Sequence, residues 1–175
     1  MRQILLVILV LFTAQSCQNI SRSNFTNNSE IEKKAILKAI EDETRAFYSK
    51  DHSKWSESYL HSSKVFWVCV EPDVTLRASG WDDLSLFVAG WMKENPKPID
   101  YEKSKFEQNN VQMTIEGNIA FVSMNGSNIQ PDGNIRFING SRTMIKENGI
   151  WKILAMTSYP SDSPNGSSAN VYVYK

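Results

Sequence analysis

Ser141-Arg142-Thr143-Met144-Ile145-Lys146-Glu147-Asn148-Gly149-Ile150-Trp151-Lys152-Ile153 is the stretch on which the reading of this chain turns. Two strand-like runs flank Asn148-Gly149, a pair suited to a two-residue hairpin turn because both residues tolerate positive φ. Upstream, Glu116-Gly117-Asn118 and Pro131-Asp132-Gly133 are turns of the same kind. They divide the second half into strands near 101–116, 118–129, 135–147 and 150–159.

The first half alternates between helical and strand patterns. Ser29 with Glu32 makes a capping box for a helix reaching about Lys50, with Ile36, Ile40 and Phe47 as its apolar stripe and Ala39 beside them. Asp51 or Ser53 starts a shorter helix carrying Trp55, Tyr59 and Leu60. Strands over 65–70 and 74–78 follow, joined by Glu71-Pro72-Asp73. Gly80-Trp81-Asp82-Asp83 opens a third helix with a face of Leu84, Phe87, Val88 and Trp91, and Asn95-Pro96 stops it. The order predicts an α+β domain: a cone-like, curved antiparallel or mixed sheet wrapped around three helices from the N-terminal half.

Composition bounds the function. The chain has 175 residues, 19 Lys and Arg against 19 Asp and Glu, and a formal net charge of zero. Phosphate backbones call for a basic excess, so nucleic acid is not an expected partner. Two cysteines make neither a disulfide scaffold nor a four-cysteine zinc site, and the histidines His52 and His61 form no ligand cluster. No metal or cofactor is expected.

At the N-terminus, Arg2 precedes the apolar run 4–12, too short for the about 20 residues of a membrane span. Residues 1–16 read as a signal peptide, with small residues before Cys17. Ser16-Cys17 resembles a bacterial lipobox, which makes Cys17 the expected lipidation site and the cell envelope the expected compartment; secretion is the alternative. The only expected membrane contact is that lipid. Residues 17–29 read as a flexible tether, 30–159 as the domain, and 160–175 as a loose tail in which Val171 to Tyr174 can add an edge strand. Cys69, within Val68-Cys69-Val70, reads as a small buried hydrophobe.

These motifs together resemble the nuclear transport factor 2-like superfamily, and within it the SnoaL-like group. The residues carrying the resemblance are the first-helix stripe, Trp55 and Tyr59, Phe66-Trp67-Val68, Pro72-Asp73 and Gly80. The hairpin from Val111 to Val122 and the Arg142 to Ile153 hairpin complete it. The resemblance implies a cone with an apolar pocket between sheet and helices, which serves as an active site in some members and a binding or assembly module in others. SnoaL-like members often carry His where this chain has Ala155 and Thr157, so the resemblance implies a pocket without that histidine.

The expected pocket residues follow. Trp55, Tyr59, Trp67, Trp91, Tyr101 and Phe121 either line a cavity suited to a flat apolar ligand or fill it. Arg142, on an inner strand face, can bind a carboxylate or phosphate bidentately; parity alone leaves the outer face open. His61 as base with Tyr59 as hydrogen-bond donor are the catalytic candidates. The leading expectation is an envelope-anchored, non-catalytic domain binding a small apolar or aromatic molecule, which can carry a carboxylate. The alternatives are an acid–base isomerase, cyclase or dehydratase-like enzyme, and a homodimeric interaction module.

Overall fold

A computed structural model describes residues 29–130 and 132–161. The expected signal peptide, Cys17, the expected tether before residue 29 and the expected tail from residue 162 on, with its edge strand, lie outside the described residues, while 160 and 161 belong to the last strand of the sheet. Two compact units divide at Ala35 and Ile36. Within the first, the described turn carries an ion pair between Lys33 and Glu30 at 2.7 Å. Among the described residues no helix is long and apolar enough to cross a membrane.

The helix α1 spans 29–48, so Ser29, expected as its cap, is already helical. In the second unit Ile36 and Ile40 are fully buried, and Phe47 packs against the core, as the stripe requires. Helix α2, His52–Glu57, is capped by Asp51, whose side chain accepts from the Lys54 N–H at 3.0 Å. It is shorter than expected and does not include Tyr59. The backbone there leaves the helix to bridge Ile153 in parallel, with Leu60 N–H donating to Ile153 O at 3.0 Å and Ile153 N–H to Ser58 O at 2.8 Å.

Strands β1 (Phe66–Val70) and β2 (Thr75–Ser79) form the expected hairpin. Helix α3, Trp81–Glu94, buries Leu84, Val88 and Met92. The chain then turns where a strand from 101 was expected. Asp100 accepts from the Lys103 and Ser104 N–H groups, and Lys105 takes a φ of 44°, so β3 begins only at Glu107 and ends at Glu116. Strands β4 (Ile119–Ile129), β5 (Ile135–Glu147) and β6 (Ile150–Ser161) complete an antiparallel meander. Asn148 and Gly149 carry φ of 51° and 82°, the hairpin turn read from the sequence.

The sheet order is β2-β1-β6-β5-β4-β3, and β6 pairs with β1 in parallel, so the sheet is mixed. Its inner face carries Ala120, Val122, Met144, Trp151 and Ile153, packed with Leu84 and Val88 of α3 and Ile36 and Ile40 of α1. Each fully buried aliphatic side chain contributes about 2 kcal/mol. A register shift opposite Thr143 and Met144 leaves Leu154 as the extra residue of a β-bulge in β6.

Gly80 sits at the junction of β2 and α3 with φ 90° and ψ 156°, a conformation open essentially to glycine alone. Its N–H donates to Val65 O at 2.7 Å, which ties the start of α3 to the chain entering β1. A methyl group there would meet Ser63 at 3.7 Å, an ordinary contact, so the cost of a substitution is conformational and not steric. Gly80→Ala is expected to lower stability by about 1–3 kcal/mol, read as a shifted urea midpoint with an unchanged slope.

Candidate functional site

Between the inner face of the sheet and helices α1 and α3 lies a cavity of about 350 Å³. Trp55, Trp67, Trp91, Tyr101 and Arg142 are among the residues that line it, and the aromatics leave it open. Phe47 stacks on Trp91 at 4.7 Å, and Lys50 lies 3.7 Å over the outer ring of that stack. One side is closed by the segment between α3 and β3. Tyr101 stacks on Phe106 at 4.8 Å, and Tyr48 meets Phe106 at 4.3 Å. Arg45 holds this segment to α1, donating to Glu102 at 2.6 Å and lying 4.2 Å over the Tyr101 ring.

The expected residues outside the cavity are explained by strand and helix geometry. Phe121 is 52% exposed, because Ala120, Val122 and Met124 take the inner positions of β4 and alternation turns Phe121 outward. His61 stands away from the cavity. Its ring stacks on Trp81 at 4.0 Å and its Nε2–H donates to Ser56 O at 2.9 Å, beside a shallow depression of its own. Tyr59 is fully buried behind Trp55 and is not among the lining residues. The bulge at Leu154 also decides the last strand: Met156 and Ser158 face the cavity, while Ala155 pairs with outward Phe66. Thr157 points outward too, its hydroxyl bonded to Ser141 at 2.7 Å. The missing histidines at Ala155 and Thr157 therefore do not describe this cavity wall.

The polar groups of the wall are mostly ones the sequence reading passed over. Glu43 of α1 is 5% exposed and lines the cavity. Its Oε1 accepts from Trp55 Nε1–H at 2.9 Å and from the Tyr59 hydroxyl at 3.1 Å, and Thr44 Oγ1 lies 3.3 Å from Oε2. A signal for it exists: Glu43 falls on the stripe, three residues after Ile40 and four before Phe47, where a charge demands partners. Burial, with the Glu43 charge beside it, pushes the Tyr59 hydroxyl well above the ordinary tyrosine range.

Arg142 is 8% exposed. Its Nη1 donates to Ser141 O at 3.0 Å and Thr157 O at 3.4 Å, while Nε has no hydrogen-bond partner among the described residues. Gly140 makes room for it, since a Cβ there would lie 3.3 Å from Arg142 Nη1 and 3.1 Å from Thr157 O. Farther along β5, Arg136 Nη2 donates to both carboxylate oxygens of Glu71 at 2.6 Å. Burial alone would lower the Arg136 pKa, but Glu71 outweighs it and raises it. Cys69 donates to Glu71 Oε1 at 3.4 Å and accepts from Ser158 at 3.3 Å; burial pushes its thiol up, away from nucleophilic reactivity. Among the described residues no cluster of three or more His, Cys, Asp or Glu could hold a metal.

Two measurements follow from this arrangement. Glu43→Leu strands the Trp55 and Tyr59 donors and is expected to cost about 2–4 kcal/mol, whereas Glu43→Gln keeps an acceptor and costs less; urea midpoints separate the two. Burial pushes the Tyr48 hydroxyl from 10.0 up to about 12. The neutral phenol is the form the fold favours, so this contribution is complete below pH 10 and is lost as pH rises towards 12. Unfolding titrations across that window should show stability falling by on the order of 2–3 kcal/mol from Tyr48, with Tyr59 acting in the same direction.

No protein-family model matches the sequence, and no curated protein does either. Solved structures do match. A candidate ketosteroid isomerase from Parabacteroides distasonis aligns with a TM-score of 0.54 at 17% identity, over 70% of this chain and 85% of that one. A candidate dehydratase of the nuclear transport factor 2-like family from Streptomyces avermitilis gives 0.55 at 15% identity, over 77% and 99%. The CaMKII hub of S. rosetta gives 0.55 at 19% identity, over 73% and 95%. At such identities the likeness speaks for architecture, and it agrees with the sheet order and helices described above: the chain has the nuclear transport factor 2-like fold.

Proposed function

We propose that the domain binds a small, flat, largely apolar molecule bearing a carboxylate or similar anion, and that Cys17 holds it at the cell envelope through a lipid. The observation that carries the binding reading is Arg142: a buried guanidinium in the wall of an aromatic cavity, with Nε left without a partner among the described residues. A buried donor on a charged group is costly to leave unmade, and an anion is the partner that best satisfies it. Trp67 and Trp91 offer the flat apolar surface beside it. The lipobox resemblance at Ser16-Cys17 supports the anchor.

A second reading, general acid–base catalysis, is favoured by Glu43, a buried carboxyl group on the cavity wall. The isomerase and dehydratase descriptions of two similar folds support it as well. In this reading Glu43 takes the place expected of His61, and Arg142 stabilises negative charge developing on the substrate.

Naphthoate is a suitable probe, because Trp55, Trp67 and Trp91 report on the cavity by their fluorescence. Arg142→Gln should weaken naphthoate binding roughly 10- to 100-fold. Gly140→Ala, by crowding the guanidinium, should weaken it in the same sense, while neutral naphthalene should bind both variants and the parent alike. Equal naphthoate affinity for the parent and Arg142→Gln would sink the reading. Exchange of a bound acid's α-proton for deuterium, abolished in Glu43→Gln, is the result that would favour catalysis.

A further inference from the structure

The cavity has a second unsatisfied polar group, on a different strand from the first. Asn128 of β4 is 2% exposed and lines the cavity, and its Oδ1 has no hydrogen-bond partner among the described residues. It occupies an inner position in line with Ala120, Val122 and Met124, where an apolar residue would otherwise be placed. Burying an amide oxygen without a partner destabilises the ligand-free fold, so its presence there calls for an occupant that donates to it.

We propose that Asn128 is the second recognition point of the ligand, accepting a hydrogen bond from a neutral donor, a hydroxyl or N–H, at the end of the molecule opposite its anion. This rests on the reading of Arg142 as the anion site. The register separates the two points. Asn128 pairs with Arg136, and Arg142 lies six residues farther along β5, roughly 20 Å at the usual rise of a strand. The Arg142 side chain lies back over Gly140, within 3.3 Å of where its Cβ would be. That brings the two polar groups to roughly 10–15 Å of each other, with Met124, Ile138 and Trp67 in the wall of the same cavity. The occupant is therefore a bipolar molecule: an anion, an aromatic or otherwise apolar middle, and a terminal donor.

The charges around Asn128 argue for a neutral donor over a second anion. Arg136, its partner across the ladder, already spends one guanidinium nitrogen on both oxygens of Glu71. The Tyr48 hydroxyl, near that pair, stays protonated at neutral pH, since burial pushes it to about 12. Arg142 is thus left as the cavity's unpaired cation among the described residues, and Asn128 Oδ1 as an acceptor in a charge-compensated end.

Three matched probes test this: a biphenyl carboxylate carrying a para-hydroxyl on its far ring, the same acid without the hydroxyl, and the methyl ether. In the unaltered protein the hydroxy acid should bind roughly tenfold tighter than either analogue, by calorimetry. Asn128→Leu should bind all three alike, and Arg142→Gln should weaken all three by a similar factor. Equal affinities in the unaltered protein, with Arg142→Gln still weakening every acid, would overturn the role of Asn128 and leave the anion site standing. A methyl ether as tight as the hydroxy acid overturns it too, because an ether cannot donate. If Arg142→Gln weakens none of them, or no acid binds, the anion site fails and this inference with it. The comparison of probes on the unaltered protein needs no variant to fold.

Discussion

Strand β6 is the constraint on which the rest of the architecture depends. It pairs antiparallel with β5 on one side and parallel with β1 on the other, so it alone joins the meander of the second half to the hairpin of the first. At its start, Ile153 also takes the backbone of Ser58 and Leu60, which draws the end of α2 onto the sheet. The bulge at Leu154 then resets the alternation. Trp151 and Ile153 are inward before it, Met156 and Ser158 after it. Without the extra residue, Ala155 and Thr157 would face the helices and the cavity wall would lose its sulfur and hydroxyl contacts. A one-residue change of register exchanges the two faces of a strand, and in β6 it is used beside the site.

The interior behind this strand is a polar cluster set in aromatic surroundings. Glu43 receives Trp55 and Tyr59, whose rings lie 4.7 Å apart, and so joins α1, α2 and the first residue to reach β6. Arg142 answers it from the sheet without forming an ion pair with it. A core of this kind is less stabilising than an apolar one of equal volume, and it is restrictive about geometry. That restriction suits a wall that must present fixed donors and acceptors to a guest.

Local chemistry was legible in the sequence wherever the backbone itself was under constraint. Asn148-Gly149 as a turn and Gly80 as the opening of α3 read correctly because such positions admit few residue types, and of Asp51 and Ser53, the two starts left open for α2, Asp51 is the cap. The helical stripe of Ile36, Ile40 and Phe47 read correctly for its periodicity, whereas the size of the tryptophans left open whether they line a cavity or fill it. Parity read poorly. Phe121 is large and apolar yet faces outward, since small Ala120 and Val122 hold the inner positions, and the bulge in β6 leaves no mark in composition. Tyr59 left the helix for a long-range bridge that no local pattern encodes. Glu43 and Asn128 were passed over because a polar residue in an apolar series looks like an interruption. Their meaning appears only when their partners, or the lack of them, are known.

The walls of the cavity differ in strength. The sheet side is fixed by ladders of backbone hydrogen bonds and the α1 side by buried donors to Glu43. The segment between α3 and β3 is held to β4 by the Ile129 N–H donating to buried Ser104 O at 2.8 Å, and to α1 by Arg45 to exposed Glu102, by ring contacts, and by the Ile99 N–H donating to Tyr48 O at 2.9 Å. Exposed ion pairs of that kind contribute at most about 1 kcal/mol and are screened by salt. Thermal breathing is cheapest where the fewest buried contacts break. The hold of this segment on α1 is therefore the part of the wall whose loosening responds to ionic strength.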